Sequence, residues 1–152
     1  MGKLLPGDIV LIHRGTGWQI FAPLVWLWQW AVGPYHVELG WDQSRALDQE
    51  YRAFSLQPPV AAIVDRKFTD VRITVYRLKD RPEFIDDMLY KWANDKIGQQ
   101  LYILGWETCG MLPRDFYRDI VHEPCTNNGP NGPYPARIEK FCRKSDKFVE
   151  VV

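Results

Sequence analysis

At 152 residues, with a formal net charge of zero, 46% hydrophobic and 25% charged side chains, the chain fits one globular domain, 1–152, with a sizeable core. Its basic residues are dispersed rather than clustered, so no nucleic-acid partner is expected.

The Pro6-Gly7 turn opens a β-branched run, Asp8–Arg14 (DIVLIHR), which reads as a buried strand with His13 a polar residue near its end. Trp18–Val32 follows without a charge and holds four of the seven tryptophans. It is too short for a membrane span, which takes about 20 apolar residues, and Pro23 marks a helix start near it. Three readings stay open for this segment: a helix buried on a sheet, a lip of a substrate groove, or a tryptophan anchor in peripheral contact with a membrane.

Gly33-Pro34 then delivers Tyr35–Trp41, an alternating strand with His36 and Glu38 on one face and Val37 and Leu39 on the other. Asp42-Gln43-Ser44 suits a hairpin into a third strand, Arg45–Tyr51, and Phe54–Pro59 is expected to be a loop closed by two prolines. Val60–Val64 and Val71–Leu78 read as further strands, the second with clear alternation. Asp80-Arg81-Pro82 opens a helix over Glu83–Lys96, where Phe84, Met88, Leu89 and Trp92 recur at helical spacing and the acids lie early. Leu101–Leu112 is apolar, interrupted by glycine and without a clear period. Arg114–Ile120 suggests a short helix, and His122–Pro135 is irregular, with His122 a loop residue. Lys144–Val152 predicts a last helix starting just after Phe141-Cys142.

The cysteines Cys109, Cys125 and Cys142 form neither a disulfide framework nor a zinc pattern and leave at least one thiol unpaired. With no apolar leader after Met1, this predicts a reducing, cytoplasmic setting. A nucleophilic cysteine needs a stabilised thiolate, commonly from a helix N-terminus and an imidazole. Cys142, read as preceding the last helix, ranks first, followed by Cys125 in the Pro/Gly loop and then Cys109, which reads as a core thiol. His36 is the candidate base, and it needs a polar group to fix its ring. Asp48 is the preferred orienter, with Glu50 next and Glu38 third, because a hairpin would bring Asp48 and Glu50 across from His36. No metal or other cofactor is implied.

Several of these stretches resemble the circularly permuted NlpC/papain-like superfamily, in its YiiX/YebB-like branch related to lecithin retinol acyltransferase. They are Pro6-Gly7-Asp8-Ile9-Val10-Leu11, Pro34-Tyr35-His36-Val37-Glu38-Leu39, Ala46-Leu47-Asp48 and Val75-Tyr76-Arg77-Leu78, with Ile97–Gly105 similar to the family's Gly-x-x-Tyr region. Phe141-Cys142 with Phe148-Val149 resembles the family's nucleophile stretch. The resemblance implies an α+β fold, an antiparallel sheet or small barrel with packed helices. It also implies a cysteine peptidase or amidase acting on an amide, peptide or acyl ester bond through His36, Asp48 and Cys142. The substrate would be a peptide, cell-wall fragment or acyl-lipid. An inactive relative that binds such molecules, and a thioester-based acyltransferase, are the alternatives.

Overall fold

Runs of β-branched and aromatic residues alternating with period 2 become the strands of this protein. The computed structural model describes residues 3–15, 36–42, 50–57, 60–67, 71–99, 109–127 and 134–151. It has one six-stranded antiparallel sheet: β1 (Ile9–Gly15), β2 (His36–Gly40), β3 (Glu50–Gln57), β4 (Val60–Lys67), β5 (Val71–Leu78) and β6 (Phe148–Glu150). The spatial order is β4-β3-β2-β1-β5-β6, so among the described residues the sheet is open and not a closed barrel. β2 pairs with β1 from Ile9↔Leu39 to Ile12↔His36, and with β3 at Leu39↔Phe54 and Gly40↔Ala53. These two pairings hold β2 in the interior of the sheet.

Helices α1 (Ile85–Asn94), α2 (Met111–Asp115) and α3 (Pro135–Lys144) cover one face, and α2 runs directly into a wider π-helical turn, Phe116–Val121. The main core lies in this interface. Ile9, Leu11, Val37, Leu39, Phe54 and Leu56 from the sheet meet Ile85, Leu89, Ala93, Phe116, Tyr117 and Ile138 from the helices. Ile85, Leu89 and Ala93 lie at i, i+4 and i+8, one stripe of α1. On the opposite face Val10, Tyr51, Ala53 and Val75 form a smaller buried cluster with Leu4. Glu38 and Ser55 are fully buried and share the strand parity of this second face.

A polar clasp fixes the start of the chain to this frame. Gly7 adopts φ +81°, a backbone region in which a side chain is strained. The turn brings the Gly7 N–H to Gly40 O and the Gly40 N–H to Asp8 O, both at 2.8 Å. The buried Asp8 carboxylate accepts the Leu5 N–H at 2.8 Å and both arms of Arg77, at 2.9 and 2.6 Å. Tyr117 donates its hydroxyl to Gly7 O at 2.7 Å, which ties the helical layer to the same turn.

Several sequence expectations are corrected. Phe54–Gln57 is strand and not loop, because β3 pairs with β4 without interruption from Glu50↔Lys67 to Gln57↔Val60. The strand runs up to Gln57, the residue before the proline pair at 58–59. Helix α1 is shorter than expected, and Phe84, placed on its apolar face by spacing, is 65% exposed. The last helix is Pro135–Lys144 and not Lys144–Val152, while Phe148–Glu150 is a strand on β5. Pro135 sits in the first turn, where its missing N–H costs nothing, and Arg143 and Lys144 occupy the last turn, where cations favour the helix dipole. The Trp18–Val32 segment lies outside the described residues. Among those described, no helix is long and apolar enough to cross a membrane.

Candidate active site

His36 is the first residue of β2, at the margin of the sheet. Its ring is mostly buried, with 15% of the side chain exposed. Strand alternation sends His36 and Glu38 the same way, and Nε2 of His36 lies 3.1 Å from Glu38 Oε1. Carrying the β2–β3 register on by one position sets Ser55 opposite Glu38. Ser55 Oγ accordingly lies 2.9 Å from the same Nε2. Two oxygens from two strands therefore share one ring nitrogen.

A thiol also contacts the ring. Cys109, half-buried against the helical core and immediately before Gly110 and α2, forms a side-chain hydrogen bond with His36. Helix α2, which begins just after Cys109 and Gly110, packs against β2.

The electrostatics follow from these contacts. Burial works against a charged imidazole, but the hydrogen bonds and charges of Cys109 and Glu38 outweigh it and raise the His36 pKa to about 9. Glu38 is fully buried, and burial alone would push its carboxyl up. The His36 contact and two N–H bonds from Arg66, at 3.2 and 2.7 Å to Oε1, reverse this and hold it below the ordinary carboxylate range. Tyr51 donates its hydroxyl to Glu38 Oε2 at 3.5 Å. Near neutral pH the described residues thus form an ordered row of imidazolium, carboxylate and guanidinium beside the Cys109 sulfur.

Cys142, Cys125 and Glu50 lie elsewhere. Cys142 does not precede a helix. It sits in the last turn of α3, 1% exposed in the main core, its Sγ 4.0 Å from the carbonyl oxygen of Cys125. Burial drives its thiol pKa well above the usual value, which suits a packing residue rather than a nucleophile. Cys125 is also 1% exposed, and burial pushes its thiol up to about 12. Glu50 begins β3, with its side chain 64% exposed and 3.4 Å from Lys67 Nζ. The register that puts Ser55 by His36 leaves Glu50 seven residues from the strand position opposite it, roughly 23 Å along an extended chain. Asp48 lies outside the described residues.

Sequence reasoning put Cys142 at a helix start, where the structure has it in the last turn of α3, and ranked Cys109, the thiol that contacts His36, last of the three. The missed signal is Pro113, which is tolerated in the first turn of a helix and so marks a start near Met111, just after Cys109. Ser55 was hidden by the misread loop. Among the described residues no group of three or more His, Cys, Asp or Glu side chains is placed to hold a metal ion. No family model matches the chain, and neither the curated proteins nor the solved structures contain a significant match.

Proposed function

We propose that the protein is a cysteine hydrolase of the permuted papain-like type, cleaving an amide or acyl ester bond. The observation that carries this reading is the hydrogen bond between the Cys109 thiol and a His36 ring whose Nε2 is already committed to Glu38 and Ser55. A thiol nucleophile needs a neighbouring imidazole, and the imidazole needs a fixed tautomer and orientation. Each requirement has a named residue here.

In the proposed reaction the proton of Cys109 resides on His36, and Sγ attacks the substrate carbonyl carbon. The N–H groups of Met111 and Leu112, in the first turn of α2, have no acceptor within the helix and are the donors this reading assigns to the oxyanion that forms. His36 then gives its proton to the leaving amine or alcohol as the carbon–heteroatom bond breaks. Water, deprotonated by the same ring, releases the acid from the thioester. Glu38 and Ser55 hold the ring through Nε2, and Glu38 balances the imidazolium charge. The chain order of base, orienter and nucleophile is unaffected by moving the thiol from Cys142 to Cys109.

An iodoacetamide or acyl-electrophile probe followed by peptide mapping tests the assignment. Labelling should fall on Cys109 at neutral pH and slow sharply in His36→Asn, while Cys125 and Cys142 stay unlabelled in the folded protein. Preferential labelling of Cys142, or Cys109 labelling indifferent to His36→Asn, sinks the reading. Cys109→Ser should remove turnover of any ester or anilide substrate found by screening.

A further inference from the structure

Arg66 stands on β4, two strands away from β2, and plays no direct part in the reaction described above. Its contacts nonetheless lead to the base. Nε and Nη2 of Arg66 both donate to Oε1 of Glu38, and this is the same oxygen that lies 3.1 Å from His36 Nε2. One carboxylate oxygen thus joins a guanidinium to the imidazole. Resting on the reading of His36 as the base for Cys109, we propose that Arg66 is a positioning residue that keeps Glu38 ionised inside the fold and thereby keeps His36 protonated beside the thiol.

A fully buried carboxyl reverts to its neutral form unless opposite charge and donors hold it. His36 alone is an insecure holder, because it can pass its proton across the 3.1 Å contact and leave both groups neutral. Both buried charges would then vanish together. Arginine cannot do this, since its guanidinium does not deprotonate in proteins. With Arg66 on Oε1, neutralising Glu38 would also forfeit the 2.7 Å ion pair with the guanidinium, so the proton stays on His36. The directions agree: Glu38 is held low and His36 is held high, each against its own burial.

The groups facing His36 among the described residues come from several elements. They include Cys109 before α2, Glu38 on β2 and Ser55 on β3, while on β1 Ile12, opposite His36, and Val10, opposite Glu38, carry no charge. Behind Glu38 stand Tyr51 on β3 and Arg66 on β4. Direct repulsion between Arg66 and protonated His36 acts in the opposite sense to the relay through Glu38. The sign of the change on removing Arg66 therefore decides between them.

The test is an NMR pH titration of the His36 ring signals, assigned among the three histidines by their loss in His36→Asn. In Arg66→Gln the midpoint should fall by about one pH unit or more, and Glu38→Gln should lower it in the same sense. The double variant should fall no further than Glu38→Gln alone. Arg66→Lys, which restores the charge, should recover most of the wild-type midpoint, a rescue that a purely packing role would not give. An unchanged or raised midpoint in Arg66→Gln, an additive fall in the double variant, or no recovery with lysine overturns the proposal. Arg66 is 31% exposed on an edge strand, and Arg66→Met serves the same comparison if the glutamine variant does not fold. Alkylation of Cys109 is followed on the same samples. If its pH profile ignores His36→Asn, the base assignment fails, while the His36 midpoint still judges the role of Arg66.

Discussion

Stability should fall as pH rises through the weakly alkaline range, and His36 is the group that sets this window. Its folded-state pKa is raised from 6.5 to about 9. A raised pKa means that the folded state binds the proton more tightly than the unfolded chain. The resulting stabilisation is complete below about 6.5 and is lost as pH passes through about 9. The shift of about 2.5 units, at about 1.4 kcal/mol per unit, corresponds to about 3 kcal/mol. This is an upper bound, because the contacts behind the shift are shared among coupled groups. Solvent screening takes little from it, since the His36 side chain is only 15% exposed.

The assay is urea unfolding followed by tryptophan fluorescence at several pH values from 6 to 9.5, on wild type and His36→Gln. Titrations of groups that do not contact His36 are common to both proteins and cancel in the difference. The advantage of wild type over the variant should shrink with rising pH by up to about 3 kcal/mol. A difference that stays flat, or grows with pH, would falsify the ion-pair description of His36.

Further outcomes follow from the same contacts. Cys142→Ala should leave Cys109 labelling unchanged yet lower stability by about 1 kcal/mol, since it removes a buried sulfur from the main core; thermal melts and probe mapping on one preparation check both halves. Gly40→Ala should destabilise by about 2 kcal/mol, because an added Cβ would lie 2.5 Å from the backbone oxygen of Leu5; an unchanged melting temperature contradicts this. Asp8→Ala leaves Arg77 without its carboxylate partner in a mostly buried site and should cost about 3 kcal/mol, read from the urea midpoint.

The separate elements were readable because their signals are local. Val71–Leu78 alternates with period 2 and is a strand with those bounds, and the turn at Pro6-Gly7 opens β1 as its residue types require. The parity of His36 and Glu38 against Val37 and Leu39 also follows from strand geometry, and it survives folding unchanged. Failures came where a strong punctuation residue was given the wrong reach. Pro58-Pro59 was allowed to dissolve the end of β3, and Pro135 was taken to close a loop when it opens α3. The second error put Cys142 at a helix start.

The partners of His36 are a different kind of information. The sequence by itself determined that an imidazole and a carboxylate share one strand face, that three thiols stand free of any metal or disulfide pattern, and that sheet and helices belong to one α+β chain. Only the tertiary structure decided which thiol meets the ring, because Cys109 is 73 positions from His36 and no local period links them. Strand register decided that Ser55 replaces Glu50 at Nε2, since moving along β3 changes which residue lies opposite His36. Arg66 came to Glu38 in the same way, through two strand pairings that a linear reading does not contain.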